Sequence, residues 1–384
     1  MKVAIVVHDL GKKRGHDRYA LELARFLSDH HETHIFACTC EEIDPTRVIF
    51  HRISAIGWPD AVKMITFLFS ATWALRGHTF DVVHVQGPSS LIGNLFTAHI
   101  CQARWREEYD RLEHTEISRF RQWYHRVTTW TMRLIERRLY RSPQTRHIIA
   151  LSHQVKRDLV QYYGCPEGKI SVVHNGINLE EFHPKHIPQC RRTVREETSI
   201  APDAFVLLFV GDFQRKGLGY AIEALGYLSG LDIQLVVVGA GSTGPYEKMA
   251  ENIGRREAVR FVGPRGDIYR YYAMSDALVF PTLYEPFGFT ITEAMATGIP
   301  VIASADAGAA ELIQDGQDGL LLTNPRDPGE IAHQIMRLID HPDLRLQLGH
   351  NARQKVESLD WSLFGQRVEQ VYTSVVKGVS DDNP

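Results

Sequence analysis

Short runs of consecutive apolar residues alternate along this chain with longer stretches in which apolar residues recur every three or four positions. The runs predict buried strands and the stretches predict amphipathic helices, a succession that builds βαβ units around parallel sheets. "KVAIVVHD", from Lys2, predicts a first strand, and "HDRYALELARFLSDH" the helix behind it, with Tyr19, Leu21, Leu23, Phe26 and Leu27 on its apolar face. Further strands are expected at "THIFACT", "DVVHVQ", "FTAHI" and "RHIIALS". The pattern then restarts. After "ISVVHNGINLEEFHPKHIP" a polar stretch leads into a new first strand, "FVLLFVGD", followed by alternating helices and strands as far as "PVIAS".

The expected architecture is therefore α/β, with two doubly wound Rossmann-like domains facing across a cleft. The domains are placed at 1–178 and 179–359, and 360–384 forms a C-terminal segment. Within that segment "DWSLFGQRVEQVYTSVV" has the apolar stripe of a helix and is expected to pack back on the first domain. Ligands of open parallel sheets bind outside the carboxyl ends of the strands, so the loops there are where chemistry is expected.

Composition changes this picture little. Apolar residues make up 44% and charged residues 23% of 384, which excludes a fibre, a repeat array or a low-complexity chain. The start reads as a strand and not as a signal peptide, and "MITFLFSATWAL" is too short to span a bilayer, so a cytoplasmic protein is expected. Five cysteines without a C-x-x-C pair argue against a disulfide framework and a zinc site. Charge is more informative. Residues 1–178 hold 24 Lys and Arg against 18 Asp and Glu, whereas the remainder holds 19 against 28. The first half is the one suited to an anionic partner.

Three stretches carry candidate chemistry. "GDFQRKG" at 211–217 follows a strand and precedes a helix, and its Arg215 and Lys216 suit a phosphate or a solvated basic turn equally well. "GAGSTG" at 239–244 has the nominal G-x-G-x-x-G spacing but lies outside the first βα turn of its domain, which favours a plain glycine turn over a dehydrogenase site. "EPFGFTITE" brackets Gly288 with Glu285 and Glu293. Thr290 and Glu293 match a capping box, while the amides of Gly288, Phe289 and Thr290 at a helix start would suit an anionic or hydroxyl-rich ligand.

These stretches, together with "RFVGP", "GAAELIQDGQDGLLL", "GHDRYALELARFL", "SHQVKRDL" and "VVHNGINLEEFHP", resemble the GT-B, family 4 retaining glycosyltransferases in order and spacing over nearly the whole chain. Glu285 and Glu293 correspond to that family's E-x7-E signature. The "DFQRKG" form is most similar to bacterial lipopolysaccharide-core glucosyltransferases. The resemblance implies that Arg215 and Lys216 bind the donor diphosphate and that Glu293 holds the ribose. It implies that Glu285 approaches the transferred sugar, with the amides of Gly288, Phe289 and Thr290 around it, and that the backbone near Phe261 and Val262 reads the base. His99 would lie near the reacting face of the sugar, its alternative being a hydrogen-bonded core histidine, and Gly15 in the loop that approaches the phosphates. Two departures stand out: Arg14 precedes Gly15 where many relatives have a second glycine, and Asp212 replaces an arginine.

The function so implied is transfer of a hexose, with retention, from a nucleotide-diphosphate sugar, expected to be UDP-linked, to a lipid-linked, lipopolysaccharide or polysaccharide acceptor. Departure of the nucleotide would be the assisted step, with the basic pair neutralising charge, no further cofactor and no metal. A nucleotide-sugar epimerase and a non-catalytic nucleotide-sugar-binding protein are the alternatives. The segment 117–146 holds eight arginines against Glu136, interleaved with aromatics, which fits either an anionic inner-membrane surface or a helix turned with its arginines outward. Nucleic acid is not an expected partner.

Overall fold

The computed structural model describes residues 1–11, 15–111 and 119–381. Arg14, the first two residues of the basic segment 117–146 and the last aspartate of "SDD" at 380–382 lie outside the described residues. The chain divides into two compact units. Met1–Gly176 and the chain from Trp361 onward form the first, and Ile177–Asp360 the second.

The first unit carries β1 (Lys2–Val6), β2 (Asp9–Leu10), β3 (Glu32–Ala37), β4 (Thr39–Cys40), β5 (Ile49–Arg52), β6 (Val82–Gln86), β7 (Leu95–Ala98), β8 (His147–Ala150) and β9 (Ile170–Val172). Seven of them make one parallel sheet in the order β5-β3-β1-β6-β7-β8-β9, and β2 pairs with β4 as a short side ladder. Val3 to Val6 are fully buried because helices cover both faces, which is why the strand reads as an unbroken apolar run instead of alternating. The order reverses at β1, whose neighbours are β3 on one side and β6 on the other. That reversal opens a crevice at the carboxyl ends of β1 and β6.

The C-terminal helix Trp361–Asp381 belongs to this first unit. Phe364 packs edge-on against Tyr19 of the helix Gly15–Ser28. Tyr372 is fully buried with its hydroxyl 2.8 Å from Nδ1 of His84, while His31 Nε2 lies 2.7 Å from Glu369. His84 is held neutral, since burial pushes its imidazole down to about 3.

The second unit repeats the plan with β10 (Phe205–Val210), β11 (Ile233–Val238), β12 (Val259–Phe261), β13 (Ala277–Phe280), β14 (Val301–Ser304) and β15 (Leu320–Leu322), in the order β12-β11-β10-β13-β14-β15. Its strands are again parallel, and the reversal falls between β10 and β13. The glycine turn after β11 is a packing feature: a Cβ on Gly239 would sit 2.2 Å from the carbonyl oxygen of Gly211, so only glycine lets these two strand ends approach.

Candidate functional site

The switch point of the second sheet gathers the residues that the sequence singled out. Arg215 and Lys216 lie in the loop after β10, and Glu285 lies in the loop after β13. The two loops are tied together, because the Leu283 amide donates to the Arg215 carbonyl at 3.0 Å. Lys216 Nζ contacts Glu285 Oε2 directly and lies 4.6 Å above the Phe280 ring. Arg215 Nη1 stands 3.4 Å from the same carboxylate oxygen and donates to the Tyr284 carbonyl at 3.3 Å.

Lys216 is 6% exposed and Glu285 9%. Burial drives the Lys216 ammonium well below the ordinary lysine range, and the neighbouring guanidinium of Arg215 pushes the same way. Burial also lowers Arg215. Two basic side chains thus converge on one carboxylate, and an anionic ligand beside them would favour the charged form of Lys216.

The other arm of the loop ends in the helix Phe289–Thr297, whose N-cap is Gly288 in a left-handed conformation, φ +106°. A Cβ there would stand 3.1 Å from Cγ of Glu285, so glycine leaves the glutamate its place. Thr290 falls inside this helix and no side chain caps it, so the capping box suggested by Thr290 and Glu293 is not formed. Glu293 instead accepts a hydrogen bond from the Tyr272 hydroxyl at 2.8 Å. Phe261 ends β12 and packs 5.8 Å from the Phe213 ring. The amide of Val262 is spent on the Val237 carbonyl at 3.0 Å, which leaves its carbonyl as the group that could meet a base edge.

In the first unit a cavity of about 330 Å³ opens at the β1/β6 switch point. His8, His16, Gln86, His99 and Glu136 are among its lining residues. His99 Nε2 lies 2.8 Å from Gln86 Oε1, and Tyr19 packs edge-on at 5.0 Å. Burial, helped by His16 and His84, pulls the His99 imidazole well below its ordinary value, so it is neutral at physiological pH and donates from Nε2. Gly15 is the exposed first residue of the helix Gly15–Ser28.

Two family models match the chain, one to each part of this architecture. "Glycosyltransferase Family 4" covers residues 13–181 and "Glycosyl transferases group 1" covers residues 191–355. The chain belongs to the family 4 glycosyltransferases. It is similar to D-inositol 3-phosphate glycosyltransferase 2 of Catenulispora acidiphila, 31% identical over 245 residues that cover 60% of this chain and 56% of that protein. The chain thus matches little more than half the length of that curated relative. Among solved structures, that of WaaG, a glycosyltransferase involved in lipopolysaccharide biosynthesis, superposes with a TM-score of 0.78 at 21% identity over 97% of this chain and 99% of that one. Anabaena HepE in complex with UDP-glucose gives 0.74 at 18% identity over 97% and 100%. These likenesses identify the fold as GT-B.

Within this glycosyltransferase fold, Gln86 and Glu136 are cavity residues that the motifs did not indicate. Glu136 had a legible signal: it lies on the helix Arg119–Tyr140 four residues after buried Met132 and three before buried Leu139, on the inward stripe. Among the described residues His8, Asp9 and Cys38 offer three potential metal-ligand atoms within 4.8 Å of one another. There His8 Nδ1 lies 2.8 Å from Asp9 Oδ2, and Lys63 Nζ lies 3.7 Å from the same oxygen, so a cation already serves that carboxylate.

The basic segment forms most of the helix Arg119–Tyr140, with Arg126, Arg133, Arg137 and Arg138 exposed. Trp123 and Trp130 are 59% and 58% exposed on the same helix. Its Tyr124 hydroxyl accepts from the Ala61 amide at 3.0 Å, which joins it to the helix Asp60–Leu75, where Phe69 and Trp73 are also exposed. No helix among the described residues is long and apolar enough to cross a membrane.

Proposed function

We propose that this protein is a retaining glycosyltransferase that moves a hexose from a nucleoside diphosphate sugar, UDP-linked, to a lipid-linked or polysaccharide acceptor. The observation that carries the reading is the convergence of Lys216 and Arg215 on Glu285 at the switch point of the second sheet. A donor diphosphate entering there meets Arg215, the buried amine of Lys216, whose charged form the diphosphate favours, and the start of the helix Phe289–Thr297. The similarity to WaaG, involved in lipopolysaccharide biosynthesis, and to HepE, which binds UDP-glucose, supports the donor and acceptor classes.

In this reading Arg215 and Lys216 stabilise the charge that grows on the departing diphosphate, and the effect is strong because the site is largely dry. Glu293 accepts hydrogen bonds from the ribose hydroxyls, with Tyr272 holding its carboxylate in position. The amides of Gly288, Phe289 and Thr290 surround the hexose and phosphate, Glu285 meets a sugar hydroxyl, and the Phe261–Val262 backbone reads the base. Gly15 and His99 serve from the first unit. The acceptor hydroxyl attacks the face from which the nucleotide leaves, and its proton passes to the leaving phosphate. The basic pair supplies the charge neutralisation, so the reaction is proposed to proceed without a metal ion.

The exposed tryptophans and arginines of the helix Arg119–Tyr140 support peripheral attachment to an anionic membrane surface on the cytoplasmic side. Co-sedimentation with phosphatidylglycerol vesicles should be salt-sensitive and should fall when Trp123 and Trp130 are replaced by serine.

The deciding experiment is a panel of nucleotide sugars read by thermal unfolding and by release of nucleoside diphosphate. A UDP-sugar at about 100 times its dissociation constant should add about 2.7 kcal/mol of stability. NMR of the product should show retained anomeric configuration. Failure of every nucleotide sugar to stabilise the protein would reject the proposal, and an inverted product would reject the retaining mechanism.

A further inference from the structure

Where β1 and β3 run out into the short ladder of β2 and β4, His8, Asp9 and Cys38 meet. The backbone sets the pair that matters, because the Cys38 amide donates to the His8 carbonyl at 2.9 Å. Cys38 Sγ then stands 4.0 Å from Nε2 of His8. The other ring nitrogen is committed: His8 Nδ1 lies 2.8 Å from Asp9 Oδ2, so its hydrogen points at the carboxylate and the Nε2 lone pair is left for the sulfur side. Asp9 is itself held, by the Thr39 hydroxyl at 3.0 Å from Oδ1 and by Lys63 Nζ at 3.7 Å from Oδ2. Phe67 packs against the imidazole at 4.7 Å and steadies the ring. A carboxylate-oriented histidine therefore faces a half-buried thiol, which is how imidazole ligands are aligned at metal centres.

We propose that Cys38 and His8 form a two-coordinate site for a thiophilic monovalent cation of the Cu(I) class, with Asp9 holding the imidazole from behind. Ligand number, span and charge select that class together. Asp9 sits on the Nδ1 side of the ring, which leaves one sulfur and one nitrogen, too few for the four-coordinate geometry of zinc. With bonds of zinc length, sulfur and nitrogen ligands stand about 3.5 Å apart in a tetrahedral site and about 4.3 Å apart in a linear one. Two-coordinate bonds are shorter than these, so a near-linear site matches the observed 4.0 Å. On binding, the thiol proton leaves to solvent as the metal–sulfur bond forms, and the imidazole keeps its proton on Nδ1. Thiolate, neutral imidazole and a monovalent cation sum to zero, while Lys63 balances Asp9. A divalent ion would add an uncompensated charge to a half-buried place, and a thiolate ligand itself favours soft cations. The bound ion clips the chain after β1 to the chain after β3 and takes Nε2 of His8 away from the cavity that this histidine lines. The site uses neither the loop after β10 nor the loop after β13, so it does not rest on the glycosyltransferase reading.

The test is anaerobic titration of the reduced full chain with Cu(I) in competition with a chromophoric Cu(I) chelator. Wild type should withdraw a single equivalent, and so should Cys40→Ser, whose thiol is also half-buried but lies outside the cluster. Cys38→Ser should lose that equivalent. His8→Ala should weaken it about a hundredfold and Asp9→Ala about tenfold, whereas Asp9→Asn, whose side-chain oxygen still accepts from Nδ1, should recover most of the Asp9→Ala loss. Zn(II) should bind at least about tenfold more weakly than Cu(I). Urea unfolding gives a second readout: Cu(I) should raise the midpoint of the first unit in wild type and Cys40→Ser but not in Cys38→Ser. If Cys38→Ser does not fold, His8→Ala decides. Failure of wild type to take up Cu(I), retention of the equivalent by Cys38→Ser, an unchanged constant in His8→Ala, or tighter binding of Zn(II) would each overturn the proposal.

Discussion

Replacing Glu136 by glutamine should flatten the pH dependence of the first unit's stability. The carboxyl is 1% exposed, and burial raises it from 4.5 to about 8, against the opposing hydrogen bonds from Tyr163 and Gln102. Between those values the native protein holds a proton that the unfolded chain has released, so rising pH favours unfolding. At about 1.4 kcal/mol per pH unit, the interval from 4.5 to about 8 corresponds to about 5 kcal/mol of stability, present below pH 4.5 and lost as the pH climbs through 8. The surrounding Cys101, Cys165, Tyr140 and Tyr163 are all raised by burial and stay protonated across this range, adding no slope of their own. The assay is built into the sequence. All six tryptophans, Trp58, Trp73, Trp105, Trp123, Trp130 and Trp361, lie in the first unit, so urea unfolding followed by tryptophan fluorescence reports on that unit alone. Wild type should lose about 4 kcal/mol more than Glu136→Gln between pH 5 and pH 8. Parallel curves for the two proteins would show that Glu136 is ionised in the native state and would refute the reasoning.

Lys216→Met should lower turnover about 10²- to 10³-fold by removing a cation from the leaving diphosphate. It should also cost about 3 kcal/mol of stability, because Glu285 is left with Arg215 alone. Adding Glu285→Gln should restore stability but not turnover, and full activity in the single variant would sink the assignment. Glu293→Gln should weaken UDP binding about tenfold or more by calorimetry, and an unchanged constant would remove the glutamate from the ribose site. Gly239→Ala should destabilise the second unit by about 1–3 kcal/mol, since its methyl group meets the Gly211 carbonyl at 2.2 Å; a circular-dichroism melt identical to wild type would contradict that close approach.

The parallel sheets were legible because fully buried strands write themselves as unbroken apolar runs, as "KVAIV" and "FVLLFV" do. Strand order was not written that way: nothing local tells β6 to return beside β1, and only long-range pairing puts the loops after β10 and β13 together. Arg215, Lys216 and Glu285 could be named from their motifs, yet the burial of Lys216 against Phe280 and Glu285 depends on that pairing. Thr290 misled in the opposite sense, since a local spacing rule suggested a cap at Thr290, whereas the helix already begins at Phe289 with Gly288, two residues earlier, as its N-cap. Glu136 was hidden by its company. Amid eight arginines an acid reads as a surface counter-charge, and only its register with Met132 and Leu139 reveals the inward face.

The return of Trp361–Asp381 to the first unit bears on how the protein is made. When a ribosome has released residues 1–176, the sheet of the first unit is complete but Tyr19, His84 and the apolar side of the helix Gly15–Ser28 still await Phe364 and Tyr372. The second unit has all its own segments earlier and can close while the nascent chain is still attached. The half that begins synthesis first is thus the last to be finished, and a chain truncated at its very end would carry a sound second unit beside a first one with an open seam.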